Sequence, residues 1–205
     1  PALGQPVIVE NRGAGILAAE AVSKAAPDGY SLLVLGASTW ISPLLQKMPY
    51  DYNYLTPITV TDRTANLLAV HPSLPVKTVK EFIALAKSKP NELNFSSSPV
   101  GSPSHLASEL FNSMAGVSIT RIVYKGTAPS ITGLISGEAQ MLITDASLLL
   151  PHAKSGKIRA LAVTSARPYS LAPGLPTVAE TVPGYESGSL SCVFAPARTP
   201  PAIIN

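Results

Sequence analysis

The residues of this chain best placed to do chemistry are those from 96 to 105, Ser96-Ser97-Ser98-Pro99-Val100-Gly101-Ser102-Pro103-Ser104-His105. They join a run with strand character to one with helix character. Ser102 falls at the N-cap of that helix and Pro103 at its first helical position. A helix start offers free backbone N–H groups and a partial positive charge, which suits a carboxylate or another small anion. Gly101 removes a side chain where a ligand would come close. The segment as a whole is therefore the best candidate in the chain for a ligand loop. The competing reading is that Ser102 only caps its helix and the other serines are solvated loop. Asp145, in Thr144-Asp145-Ala146-Ser147, could receive an ammonium or hydroxyl group of a ligand, or cap the helix that follows.

Catalysis finds less support. His105 sits beside Ser102 and Ser104, but both serines are too near in sequence for the imidazole to serve as a separate base, and no G-x-S-x-G elbow exists. His71, His105 and His152 lack metal-ligand spacing. Gly13-Ala14-Gly15 with Ala18 matches part of a dinucleotide fingerprint, yet no acid follows at the required distance. Cys192, within Leu190-Ser191-Cys192-Val193-Phe194, reads as a small buried hydrophobe with no basic neighbour to activate it. A binding role is expected, with no catalytic residue, metal or cofactor.

Those candidates need elements to hold them. Residues 6–10 are expected as a short strand, 11–15 as a turn, and 16–26 as a helix stopped by Pro27-Asp28-Gly29. Residues 32–35 form an apolar run expected as a strand covered on both faces, with Gly36-Ala37-Ser38-Thr39-Trp40 at its C-terminal end. Residues 58–60 and 65–71 read as two strands. Thr78-Val79-Lys80-Glu81 has capping-box spacing and opens a helix through Lys87, with Val79, Phe82, Ile83 and Ala86 on its inner face. From residue 93 strands and helices alternate: strand 93–97, helix 103–115 with a stripe of Leu106, Leu110, Phe111 and Met114, strand 119–124, helix 127–136, strand 140–144, helix 146–154 and strand 158–165.

This order predicts an α/β domain with a largely parallel sheet. Ligands of such sheets sit beyond the carboxyl ends of the strands, where residues 36–40, 96–105, 124–127 and 144–147 all fall. Lys125 there either adds positive potential or is simply solvated; Trp40 either walls the site or packs at an edge. Residues 167–205 are rich in Pro and Gly, and their one strand-like run, 189–195, reads as a return path. Runs 65–71 and 189–195 are expected to cross between two lobes, with lobe 1 at 1–66 and 190–205 and lobe 2 at 67–189.

Composition agrees with an ordered chain: 46% of its 205 residues are hydrophobic and only 13% charged. The net charge of +3 is spread over scattered lysines and arginines rather than gathered into a stripe with aromatics, which argues against nucleic acid. No run approaches the roughly eighteen apolar residues of a membrane span. Pro1-Ala2-Leu3-Gly4 is not the start of a nascent chain, so the lack of a targeting segment carries no information.

Taken together, the chain resembles the TctC/Bug family, the extracytoplasmic receptors of tripartite tricarboxylate transporters. The resemblance rests on Val9-Glu10-Asn11-Arg12, Ala25-Ala26-Pro27-Asp28-Gly29-Tyr30, Leu68-Ala69-Val70-His71-Pro72-Ser73-Leu74-Pro75 and Ser104-His105-Leu106-Ala107-Ser108-Glu109-Leu110-Phe111. It continues through Tyr124-Lys125-Gly126, Gly156-Lys157-Ile158-Arg159-Ala160-Leu161-Ala162-Val163-Thr164 and Leu175-Pro176-Thr177-Val178-Ala179-Glu180, in the family's order and over nearly the whole chain.

The resemblance implies a two-lobed, type II periplasmic-binding-protein-like α/β fold, export to the periplasm, and no cofactor. It implies a small carboxylate ligand (a di- or tricarboxylate, amino acid or aromatic acid) and the transporter's membrane components as partners. Carried over by position, the family's ligand loops correspond to Ser38, Thr39, Ser97, Ser98, Gly101, Ser102, Ser104 and Asp145. The family pattern also has a strand and glycine-rich loop ahead of Pro1 and helical structure past Asn205, so lobe 1 is expected to be incomplete at both ends. A truncated or degenerate homologue, serving as a sensor or interaction protein without transport, is the competing expectation.

Overall fold

The computed structural model describes residues 4–12 and 15–204; Gly13 and Ala14 of the expected turn, and the chain start at 1–3, lie outside them. Residues 6–10 form no strand. Val7, Ile8 and Val9 are 72%, 87% and 80% exposed. A strand exists through its ladder partner, and none of the described residues pairs with this segment. The first regular element is helix α1 (Ile16–Ser23), followed by strand β1 (Leu33–Gly36) and helix α2 (Ser38–Leu45). β1 pairs with β7 (Gly188–Pro196) and is not covered on both faces as expected: Leu33 enters a core, while Val34, on the opposite face, is exposed.

The two short strands expected after Pro57 are one 16-residue strand, β2 (Leu55–Val70). Register shifts at Pro57/Thr59 and Val60/Asp62 absorb the irregular stretch. Residues 55–65 pair with β7, and residues 66–70 lie between two later strands, β5 (Met141–Asp145) and β6 (Arg159–Val163). One strand therefore belongs to both groups of strands. Along it the side chains alternate: Leu68 and Val70 enter one core, Leu67 and Ala69 another.

Helix α3 (Val79–Ser88) starts with the expected capping box. Thr78 accepts from the Glu81 N–H at 3.1 Å, and the Glu81 carboxylate accepts from the Thr78 N–H at 3.2 Å. Strand β3 (Asn94–Ser97), helix α4 (Pro103–Ala115), strand β4 (Thr120–Val123), helix α5 (Thr127–Ile135), β5, helix α6 (Ala146–Lys154) and β6 follow in the predicted alternation. β3 runs parallel to β4 and β5, while β5 and β6 are both antiparallel to β2. The seven-stranded sheet is therefore mixed and not largely parallel as expected: β3–β4 and β3–β5 are parallel, whereas β1–β7, β7–β2, β2–β5 and β2–β6 are antiparallel, because β1 and β2 run against the other strands.

Its first face is covered by α3 and α4, where Phe82, Phe111 and Tyr185 pack together, with Phe82–Phe111 centroids 6.1 Å apart. Burying each of those rings stabilises the fold by about 1.5–3 kcal/mol. The second face is covered by α5 and α6 through Ile131, Leu134 and Leu149. A smaller third core gathers Ala19, Leu33, Tyr50, Leu55, Cys192 and Phe194 around β1 and β7. Cys192 is buried there, as its sequence suggested. The last helix described, α7 (Pro201–Ile204), is a single turn. Among the described residues no helix is long and apolar enough to cross a membrane.

Candidate functional site

Strand register brings the expected segments together. Gly36 at the end of β1 pairs with Ser191, and Ser191 pairs with Asp62 of β2; Asp145 at the end of β5 pairs with Asn66 of β2. The carboxyl ends of strands from both groups therefore converge on residues 62–66. β2 is also where the chain crosses between groups, and its crossing is stitched to the return path. Thr164 Oγ1 donates to the Ser187 carbonyl at 2.7 Å, Ser189 Oγ donates to Asn66 Oδ1 at 2.8 Å, and the Asn66 N–H donates to Thr164 Oγ1 at 3.0 Å. Asn66 is fully buried, and among the described residues its Nδ2 has no hydrogen-bond partner.

The hydroxyl-rich segment is a folded loop more than a solvated one. Ser102 caps α4 by accepting from the His105 N–H at 3.3 Å, with Pro103 in the first turn. The Ser98 N–H donates to Ser104 Oγ at 3.0 Å, and Ser98 Oγ meets Thr127 Oγ1 at 3.2 Å, since parallel β3 and β4 deliver both segments to one edge. Ser97, Ser98 and Ser104 are buried, while Ser102 keeps partial exposure. Beneath them lies Arg121, whose Nε donates to Ser97 Oγ at 2.7 Å and whose Nη2 donates to the Ser98 carbonyl at 2.8 Å. Burial pulls the Arg121 guanidinium below its ordinary value, partly offset by Glu109.

His105 has no base-like geometry. Its Nδ1 accepts the Gly101 N–H at 3.2 Å, which leaves the proton of the neutral ring on Nε2, 4.0 Å from Glu109. Burial, and then the charge of Arg121, push its pKa below 6.5 against the pull of Glu109, so the ring is neutral at pH 7.

The facing wall is α2. Its N-cap, Ala37, supplies no side-chain cap, so the first-turn N–H groups are not taken up by one. Ser38 opens onto a groove of about 170 Å³, where Ala37, Ser38 and Ile41 face Gly101, Leu106 and Leu110. Thr39 does not reach it: the side chain is buried, donating to the Gly36 carbonyl at 2.8 Å, and its own carbonyl accepts from Tyr50. Gly101 (φ 81°) makes the close approach expected of it, but toward α2. A Cβ there would overlap Ser42 Oγ.

Asp145 is the N-cap of α6, accepting from the Ser147 N–H at 2.8 Å and from the Thr64 hydroxyl, and it stands at the crossing rather than in the groove. Trp40 packs edge-to-face on Phe194 at 5.6 Å, and Lys125 is exposed. A larger hollow of about 610 Å³, between α1, residues 48–54 and Arg198, contains none of the expected residues. Sequence reading passed over Arg121 and Ser42, and placed Thr127 only as part of the strand-end segment 124–127. Only Arg121 left a signal, as a charge inside an otherwise uncharged four-residue strand.

The sequence matches, over residues 1–205, the family model described as "Tripartite tricarboxylate transporter family receptor". It is 38% identical over 209 residues to a UPF0065 protein of Bordetella bronchiseptica, covering 100% of this chain and 62% of that relative. Among solved structures it superposes on "R. palustris Rpa4515 with adipate" with a TM-score of 0.93 and 39% identity, covering 99% of this chain and 70% of that one. It also superposes on "MatC (Rpa3494) from Rhodopseudomonas palustris with bound malate" with a TM-score of 0.87 and 30% identity, covering 98% and 71%.

Proposed function

The chain belongs to the tripartite tricarboxylate transporter receptor family and has its periplasmic-binding-protein fold, and from that premise we propose that it captures a small carboxylate for delivery to a transporter's membrane components in the periplasm. Residues 1–66 and 190–205 act as one lobe and residues 67–189 as the other, closing on the ligand about the crossings at Asn66 and Ser189. The observation that carries this reading is the groove in which the uncapped start of α2, with Ser38, faces Gly101 and the first turns of α4, with Ser187 and Gly188 of the return path beside them. Ser38 and Ser187 offer hydroxyls to the ligand, and Ser102 holds the start of α4 beside them. Ser97, Ser98, Gly101 and Ser104 shape the loop, Asp145 fixes the crossing, and Thr39 sets α2.

Arg121 contributes positive potential from behind the loop, its two hydrogen bonds going to neutral oxygens while the charge of Glu109 acts on it from α4. The family is a receptor family, not an enzyme family. The protein binds its ligand unchanged, because the one histidine near the serines already accepts a backbone N–H.

A thermal-shift series with adipate, malate and citrate tests the reading. At a hundredfold excess over Kd, ligand stabilises the native state by about 2.7 kcal/mol, which raises the melting midpoint by about 5–10 °C. A cooperative melt that none of these acids moves refutes it.

A further inference from the structure

Of the core stripe expected on α4, Phe111 enters the core, while Leu106, Leu110 and Met114 do not. The residues of α4 that face the interior are Ser104, Ala107, Ser108, Phe111 and Ala115, while Leu106 is partly exposed and Leu110 is 39% exposed. α4 buries Phe111 among small side chains and leaves Leu106 and Leu110 as an apolar strip outside that core face. Pro103, Leu106 and Leu110 sit on one face of α4, at successive turns, and all three line the groove against α2. Opposite them α2 grades from Ser38 in its first turn to Ile41, about 4.5 Å further along its axis. Among the described residues no charged side chain lines the groove.

We propose that the ligand is a carboxylate bearing an unbranched apolar chain of about four to six carbons, laid along this groove, with Ile41, Leu106 and Leu110 setting that preference. The proposal rests on the carboxylate-receptor reading and sharpens it from a charge to a shape. The carboxylate lies at the Ser38 end, and the chain runs over Ile41 between the two leucines. The groove's volume of about 170 Å³ is close to that of a ~150 Å³ apolar protein cavity that admits benzene, a six-carbon ring. An amino or hydroxyl substituent on the chain would leave water for a wall without a charged partner, at a cost that an aliphatic chain does not incur.

Calorimetric titration of the 205-residue chain with butanoate, pentanoate, hexanoate and heptanoate, and with 3-hydroxyhexanoate, tests this. Affinity is expected to rise about fourfold for each methylene that enters the groove, with 3-hydroxyhexanoate at least about tenfold weaker than hexanoate. Leu110→Asn and Leu106→Asn each reduce the gain per methylene to less than about twofold. Leu148→Asn on α6, a control of similar exposure (46%) remote from the groove, keeps the slope. Leu110→Asn alone suffices if Leu106→Asn fails to melt cooperatively. A flat or falling series in the parent chain, or an undiminished slope in Leu110→Asn, overturns the chain preference while leaving a carboxylate receptor standing. Absence of binding by every acid overturns both readings.

Discussion

Replacing Arg121 with Met should loosen the loop between β3 and α4 and shift a titration nearby. The guanidinium makes two hydrogen bonds, to Ser97 Oγ at 2.7 Å and to the Ser98 carbonyl at 2.8 Å, and Ser97 is fully buried. Hydrogen bonds to a charged donor contribute about 1.5–3 kcal/mol each, and a buried acceptor left alone keeps its desolvation cost. Arg121 is itself partly desolvated, and Met relieves that burden. The balance is a loss of about 2 kcal/mol, which lowers the melting midpoint by about 4–8 °C for a chain of this size.

The second readout is independent of packing. His105 is held below 6.5 first by burial and then by Arg121, so removing the cation raises its pKa while burial keeps it below the ordinary value. The sign for stability follows. A depressed histidine pKa means that the unfolded chain binds the proton first, so stability is lost as pH falls from above 6.5 through the folded pKa. In Arg121→Met that loss still begins near pH 6.5 but ends at a higher pH and is smaller. Arg121→Lys separates the two effects, since it keeps the charge but not the fork. His105 should stay depressed in it while most of the stability is still lost. Denaturant unfolding and NMR titration of the His105 ring measure both. A stability change under about 0.5 kcal/mol, or a His105 pKa that falls in Arg121→Met, refutes the account.

Gly101→Ala places a side chain at φ 81°, with its Cβ overlapping Ser42 Oγ and 3.2 Å from the Ser42 backbone. It should destabilise the protein by about 2–4 kcal/mol. Adding Ser42→Ala recovers only part of this, because the strain at residue 101 and the crowding against the α2 backbone remain; full recovery in chemical denaturation would contradict the assigned geometry. Tyr185, buried and donating to the Ala107 carbonyl at 2.8 Å, has its pKa pushed by burial from 10.0 up to about 12. Its contribution is complete below pH 10 and lost as pH rises toward 12. Tyr185→Phe costs about 1–2 kcal/mol at neutral pH, and removes one of the late tyrosine absorbance steps, which an alkaline spectrophotometric titration reads directly.

Local chemistry was legible in the sequence wherever it acts over a few residues. The capping box at Thr78 and Glu81, the Ser102-Pro103 start of α4 and the Asp145 cap of α6 all stand where spacing put them, since a cap needs only its own first turn. The alternation of strands and helices from 93 to 163 also held, because the hydrophobic period reports which face of each element is buried. The runs that carried the family resemblance led to the same family as the match over the whole chain.

What the tertiary structure decided is everything that depends on a partner remote in sequence. Residues 6–10 have strand composition but no ladder among the described residues, so they stay irregular. Two apparent strands around residues 58 and 65 became one, because β7 and then β5 and β6 supply an unbroken series of partners. Leu106 and Leu110 have the period of a core, yet the interior accepted Ser104 and Ser108 instead, since the small side chains sit where α4 meets the sheet. Whether an apolar stripe faces a core or a ligand is set by what stands opposite it. Here that is α2, brought from about 60 residues away in the chain by the pairing of β1 with β7 and of β7 with β2.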